Sequence, residues 1–475
     1  MEKIMGGKRK RLSFFTKAGY GSASMADTIF YDFVFVFFLF FLTDIAGISP
    51  AFAGTIAFVG VLWDAITDPL AGFVSDNTKS KYGRRRPYII GSVIPLIITL
   101  TLMFTKVNFS TIGMNIYYII ITMAFWLAYK AFFIPYSALG AELTNDYHER
   151  TSLRSYATIF NYVGLLAGGA LPLVLVDFFQ GLGYEPATAW QYTALTLSIV
   201  AGATIVITWF STKGKELDIE LLHKESTSRE GFVKTIKQLF KIKAYKFILL
   251  ASMFFMASYS IFNSNLIYFS TYKLGIGEIE MAGIFLIFTI VSFFFIPVVT
   301  AFSSKIGKRK TYIWGMISAG IACCLFRFIN IETIFMTIVY SIIYVIGNVV
   351  YWTLIYALIY DVCELDEFIS GQQRAGMVSS YGSFVGKLGC AIGMQILGLV
   401  LHLAGYNPEA LEQTPKTMNA IESAFTIVPG IFLILSGLLL IFYPISQERY
   451  ERLVEALELK RQGKEYTTEG FEELL

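Results

Sequence analysis

Apolar runs long enough to cross a bilayer recur twelve times along this chain, and that repetition limits the fold more than any single motif. They fall at about 16–43, 51–75, 87–107, 112–141, 152–177, 189–210, 245–272, 281–303, 311–329, 333–361, 374–404 and 420–444. Roughly 20 helical residues cover a bilayer core, and within lipid a helix satisfies every backbone polar group internally. Composition agrees. The chain is 55% hydrophobic and 15% charged, where a soluble chain carries roughly a quarter charged residues. The expected fold is an all-α membrane protein of twelve transmembrane helices.

A polar stretch from Ser211 to Lys243 divides these runs six and six. The expected organisation is a six-helix bundle over 1–210, a cytoplasmic central loop over 211–244, a second bundle over 245–446 and a tail over 447–475. Lys8 to Arg11, Lys79 to Arg86 and Lys234 to Lys246 are strongly basic, whereas the loops near Asp44, Lys106, Glu185 and Lys273 carry few charges. That asymmetry places both termini in the cytoplasm of a multi-pass cell-membrane protein. The first apolar run ends without a small-residue cleavage site and reads as a retained helix.

Several function classes are set aside. A net charge of +3 is too small to suggest nucleic acid, and the absence of a Gly-rich Lys-Ser/Thr loop sets aside a nucleotide. His148, His223 and His402 lie far apart, and Cys323, Cys324, Cys363 and Cys390 lack metal-ligand spacing, so neither a metal nor another cofactor is expected. The cysteines read as free, packed thiols.

The two halves echo each other. Ser80 to Arg86 joins the second and third runs, as Ser304-Lys305-Ile306-Gly307-Lys308-Arg309-Lys310 joins the eighth and ninth. An acidic-then-basic stretch follows the fourth run (Glu142 to Arg154) and another follows the tenth (Asp361 to Arg374). Two related six-helix halves resemble the major facilitator architecture, in which the substrate sits near the midplane.

Ionisable groups inside the apolar runs are functional candidates by default. They are Asp27, Asp32, Asp64, Asp68 and Lys130 in the first half and Lys387 in the second. Asp64 and Asp68 are four residues apart, so a helix stacks them on one face, and two acids on one face ask for a cation. Trp126, Lys130 and Ser137 share a face, and a ring beside a cation and a hydroxyl suits a polyol. In the first run Thr28 and Asp32 share one face and Asp27 and Tyr31 another, about 100° away; Asp32 is expected toward the substrate cavity. Trp352 is a candidate ring platform from the second half. Asp76, Arg84 and Arg85, set against Asp361, Glu364, Glu367 and Arg374, are candidate cytoplasmic gate pairs.

Trp63-Asp64-Ala65-Ile66-Thr67-Asp68-Pro69, then Asp76-Asn77-Thr78-Lys79-Ser80-Lys81-Tyr82-Gly83 and Pro87, is similar to the signature of the glycoside–pentoside–hexuronide:cation symporters. Thr43-Asp44, Ile134-Pro135, Trp352, Asp361, Glu367, Lys387 and Gly405-Tyr406 extend the resemblance over nearly the whole chain. The resemblance implies that Asp64 and Asp68 bind the coupling cation, with Thr67 between them where the family has Asn. It also implies that Lys387 lies near the sugar and cation sites and Trp352 close to the sugar. Galactoside-site acids of the family fall at Thr28 and Phe133, a tryptophan at Ser137 and an arginine at about Thr158, so a galactoside is a poor match.

Lys130 stands where the family's sodium site has Thr. An ammonium about 4 Å from a sodium ion costs roughly 4 kcal/mol at an effective dielectric near 20, close to a thousandfold in affinity. Lys130 is therefore read in three ways: as a tethered substitute for sodium, as part of a proton-coupled cluster, or as a ligand for an anionic sugar such as a uronide or a sulfonated sugar. Proton coupling is favoured, with sodium as the alternative. The expected function is a monomeric symporter that imports a sugar or glycoside by alternating access, with no covalent catalysis. The rival readings are a lysolipid carrier of the same architecture and a non-transporting membrane sensor or enzyme.

Overall fold

The computed structural model describes residues 12–78, 80, 82–83, 85–144, 147–215, 238–329, 331–372, 374–410 and 412–474, and no strand occurs among them. Among the described residues sixteen α-helices carry the architecture: α1 (Phe14–Phe40), α2 (Pro50–Asn77), α3 (Arg86–Gly91), α4 (Val93–Met103), α5 (Thr111–Leu143), α6 (Tyr147–Gly169), α7 (Leu171–Gly181) and α8 (Pro186–Ser211), followed by α9 (Lys243–Tyr268), α10 (Glu278–Ile306), α11 (Lys308–Phe326), α12 (Ile334–Ser370), α13 (Ala375–Ala404), α14 (Pro415–Phe425), α15 (Ile427–Leu439) and α16 (Gln447–Arg461).

Local chemistry sets many of these boundaries. Ser13, Ser110, Thr333, Thr414 and Ser446 each accept a hydrogen bond from a backbone N–H three residues on, at 3.2–3.3 Å, which caps an otherwise orphaned helix start. Three expected spans are broken in two. The second pieces begin just before Pro95, Pro172 and Pro429, a first-turn position where the missing N–H costs no ladder bond. The two basic loops also match in backbone, since Gly83 and Gly307 both take φ +88°, a left-handed conformation that only glycine adopts freely.

Eleven spans among the described residues are long and apolar enough to cross a membrane. The expected ninth, α11, is helical over 19 residues, but its start at Lys308, Arg309 and Lys310 dilutes its apolar character.

The chain forms two compact units. One is Met1–Ile48, Trp63–Thr227 and Glu278–Phe285; the other is Ser49–Leu62, Ser228–Gly277 and Leu286–Leu475. The unit boundary therefore cuts α2 and α10. Glycine explains part of this. A Cβ on Gly398 of α13 would lie 2.5 Å from the Pro50 carbonyl oxygen and 3.0 Å from Gly54 Cα, so the start of α2 packs backbone to backbone with α13.

Each unit uses the same pairings. In the first, α1 packs on α6 and α8, and α4 packs on α8 and α5. In the second, α9 packs on α13 and α15, and α11 packs on α15 and α12. Counted by span, both sets are first with fifth, first with sixth, third with sixth and third with fourth. The first-to-fifth contact depends on small residues in both cases. A Cβ on Gly164 of α6 would meet Met25 O and Thr28 Cβ at 2.8 Å, and one on Gly389 of α13 would meet Met253 O at 2.3 Å. Such close approach is how helices associate where lipid supplies no hydrophobic drive.

Candidate functional site

Asp64 and Asp68 sit one turn apart on α2, and Lys130 reaches them from α5. Its Nζ lies 2.7 Å from Asp64 Oδ1 and 2.7 Å from Asp68 Oδ1. The Lys130 and Asp64 side chains are each 1% exposed and that of Asp68 is 30% exposed. The ammonium also faces the Tyr129 ring at 5.1 Å and the Phe133 ring at 5.6 Å, within the reach of cation–π attraction. Lys130 therefore does not snorkel to the membrane surface. Pro135 follows on α5 and removes an N–H from the ladder one turn beyond Lys130.

Thr67 lies between the two acids, but its Oγ1 donates back to the carbonyls of Trp63 (2.8 Å) and Asp64 (3.2 Å). Its hydroxyl proton is thus held by its own helix. This is a common fate for threonine inside an apolar helix.

Both faces of α1 carry polar groups, and they meet different helices. Asp27 accepts a short hydrogen bond from the Tyr129 hydroxyl of α5. Tyr31, one turn on, lies 5.9 Å from the Trp126 ring and 6.4 Å from the Tyr129 ring. Thr28 instead faces α6, donating to Ser24 O (2.9 Å) and accepting from Asn161 Nδ2 (2.6 Å). Asp32 shares that side, since a Cβ on Gly168 would come within 3.3 Å of Asp32 Cβ. The polar line to Lys130 therefore runs through Asp27 and not through the favoured Asp32, because the small residues of α6 draw the Thr28–Asp32 face toward themselves. Asp32 Oδ2 is buried with no hydrogen-bond partner among the described residues.

Two other expectations on α5 fare differently from one another. Trp126 is 3% exposed and packs edge-on against Phe125 and Tyr129, so its ring is not an open platform. Ser137 is exposed and donates to Ile134 O at 2.9 Å, whereas Lys130, on the same helical face, is sealed.

In the second unit Trp352 does present a ring. It is 39% exposed, its Nε1 donates to Asn348 Oδ1 at 3.1 Å, and Tyr259 meets it edge-on at 6.4 Å. Tethering the indole N–H leaves the ring face as its free feature. Lys387 is half-buried on α13.

The expected gate acids of the second unit each have a partner inside that unit. Lys308 Nζ donates to Asp361 Oδ1 at 2.5 Å. Arg461 of α16 grips Glu367 through two bonds of 2.8 and 2.7 Å, and Glu364 stands beside the Tyr450 hydroxyl. Arg374 grips Asp366 at 3.0 and 2.6 Å and also donates to Gln238. Arg85 is 7% exposed, with Nη1 3.5 Å from Ser75 Oγ. The Asp76 side chain and Arg84 lie outside the described residues.

Tyr129, Lys308, Asp366 and Arg461 are the residues that sequence reasoning passed over. Lys308 and Asp366 lay inside motifs already noticed for their charge. Tyr129 and Arg461 gave no signal beyond an aromatic in an apolar run and a base in a charged tail. No group of three or more potential metal ligands occurs among the described residues.

Comparison with known proteins agrees with this architecture. The chain is 29% identical over 454 residues to the uncharacterized symporter YnaJ of Bacillus subtilis, covering 94% of this chain and 96% of that one. It is 26% identical over 433 residues to the isoprimeverose transporter of Lactiplantibacillus pentosus, covering 90% and 88%. The crystal structure of the nucleoside transporter NupG shares the fold, with a TM-score of 0.65 at 14% identity over 91% of this chain and 100% of that one. The family described as MFS/sugar transport protein matches residues 19–447, and the chain belongs to that family of membrane transporters.

Proposed function

We propose that this protein is a symporter that carries a sugar or glycoside across the cell membrane on a proton gradient, with Lys130 standing where a bound metal cation would otherwise sit. The observation that carries this reading is the 2.7 Å approach of one ammonium to two carboxylates. Two carboxylates and one ammonium leave one net negative charge, which a single proton neutralises. A sodium ion in the same place would have to sit against the ammonium, at roughly 4 kcal/mol for a 4 Å separation and an effective dielectric near 20.

Exposure divides the labour between the acids. Asp64 is sealed with Lys130, while Asp68 is 30% exposed and is the group a proton reaches. Protonating Asp68 removes half of the attraction that ties α2 to α5 at this point, so the load state and the helix packing are linked. In the first unit Asp27 supplies a carboxylate for sugar hydroxyls. The relatives named as a symporter and as an isoprimeverose transporter support the sugar reading. Both termini are assigned to the cytoplasm and the working unit to a monomer.

The test is uptake and counterflow in proteoliposomes, using isoprimeverose and methyl glucuronide as neutral and anionic probes. The expected result is accumulation driven by an inward proton gradient and unchanged by replacing sodium with choline. Accumulation that requires sodium would overturn the proton reading. Exchange of neither sugar would overturn the sugar reading.

A further inference from the structure

Tyr129 is the physical link between Asp27 of α1 and the Lys130 ion pairs with Asp64 and Asp68 of α2. Its hydroxyl donates to Asp27, and its ring lies under the Lys130 ammonium at 5.1 Å. Lys130 is its neighbour in sequence and holds Asp64 and Asp68 at 2.7 Å each. One continuous line of contacts therefore runs from Asp27 on α1, through Tyr129 and Lys130 on α5, to the acids on α2.

Burial along the line is uneven. Tyr129 is 4% exposed and Lys130 1%, whereas Asp27 and Asp68 at the two ends are both partly exposed. A sealed middle with a reachable acid at each end suits a device that senses two different ligands. The surrounding charged and titratable groups are Asp27, Asp32, Tyr31 and Tyr20 from α1, Asp64 and Asp68 from α2, and Lys130 and Tyr136 on α5 itself.

We infer that Tyr129 is a positioning residue that couples sugar binding to proton retention. This rests on the symport reading above. A sugar hydroxyl that donates to Asp27 competes with the Tyr129 hydroxyl for the same carboxylate. Releasing that hydroxyl frees the ring to shift against the ammonium it faces, and with it the grip of Lys130 on Asp68. The reverse follows by linkage: a proton on Asp68 alters the Asp27 site by the same free energy. The proton stays on Asp68 throughout, and Tyr129 transfers none.

The test compares Tyr129→Phe with wild type, using isoprimeverose. Counterflow measures exchange without net proton movement, and accumulation under an inward proton gradient measures coupling. The variant keeps the ring and loses only the hydroxyl. The expected result is counterflow within about twofold of wild type, accumulation at least tenfold lower, and loss of the pH dependence of sugar affinity that is expected of wild type. Accumulation equal to wild type would overturn the inference. So would a parallel fall in counterflow and accumulation, which signals lost affinity alone.

If Tyr129→Phe is not monodisperse in detergent, Asp27→Asn carries the same test from the other end. Its sugar affinity is expected to fall and to become independent of pH, and persistence of the wild-type pH dependence would overturn the link. Wild-type protein that fails to accumulate sugar on a proton gradient would sink the underlying reading instead, and this inference with it.

Discussion

Lys130 and Asp64 form an ion pair 2.7 Å long in which both side chains are 1% exposed. A charge buried to that degree depends on its partner, and removing one partner of a buried pair costs about 3–5 kcal/mol. Lys130→Ala strands two carboxylates at once, so a large fall in melting temperature is expected in detergent. Lys130→Thr leaves the acids with a hydroxyl and room for an ion. Sodium is then expected to raise its melting temperature by several degrees while leaving wild type unchanged, since a ligand at 100 times its Kd adds about 2.7 kcal/mol. Thermal unfolding in sodium and in choline buffers reads this directly.

The two acids of α2 are expected to separate on mutation. Asp64→Asn weakens the sealed pair and should cost more stability than Asp68→Asn, whose side chain is 30% exposed. Asp68→Asn keeps the size of the side chain and mimics a permanently protonated state. It should retain counterflow within a few-fold while accumulation on a proton gradient disappears. The paired measurement of exchange and accumulation separates this outcome from simple loss of folding.

Part of this arrangement was legible in the sequence because its physics is local. Apolar length located the spans, and the spacing of Asp64 and Asp68 put two acids on one helical face in need of a cation. What was hidden depended on which neighbour each face meets. Trp126, Lys130 and Ser137 do share a face, but whether a residue on it is sealed or open depends on what packs there: Trp126 is buried and Ser137 exposed. On α1 the pattern gave two polar faces and favoured that of Asp32, but which helix each face meets depends on Gly164 and Gly168, which bring α6 against Thr28 and Asp32. Tyr129 was invisible for a similar reason. An aromatic in an apolar run reads as packing until its hydroxyl is seen to end on Asp27.

The tail has more structure than a solvated charged helix. Arg461 and Glu367 form a two-bond grip, Lys460 Nζ donates to Phe368 O at 2.6 Å, and Phe471 packs edge-on against Phe368 at 5.4 Å. The energetic weights differ. Arg461 is 48% exposed, so Arg461→Ala should cost no more than about 1 kcal/mol, as exposed pairs do. Phe471 is 1% exposed, and Phe471→Ala should cost about 3–5 kcal/mol in local tail stability if the site behaves as other buried phenylalanines do. Limited trypsin digestion followed by mass analysis is expected to cut at Arg461 and Lys464 quickly in Phe471→Ala and slowly in Arg461→Ala and wild type, each variant judged at the sites it retains.

The glycines of α13 make a sharper steric prediction. A Cβ on Gly393 would lie 2.1 Å from Ser260 Oγ and 2.5 Å from Ala257 O, whereas one on Gly283 of α10 meets nothing within 4 Å. Both are helical positions, so replacing either glycine with alanine gains the same helix propensity, about 1 kcal/mol. Only packing separates them. At Gly393 the Ser260 hydroxyl can swing aside, though doing so breaks its bond of 3.0 Å to Cys390 O, but the Ala257 carbonyl belongs to the α9 backbone and cannot move without shifting the helix. Gly393→Ala is therefore expected to lower the melting temperature and the monodisperse fraction, and Gly283→Ala to leave both unchanged or slightly raised. Equal behaviour of the two would mean that α9 and α13 do not rely on this close approach, and that their pairing is held by the side chains flanking it.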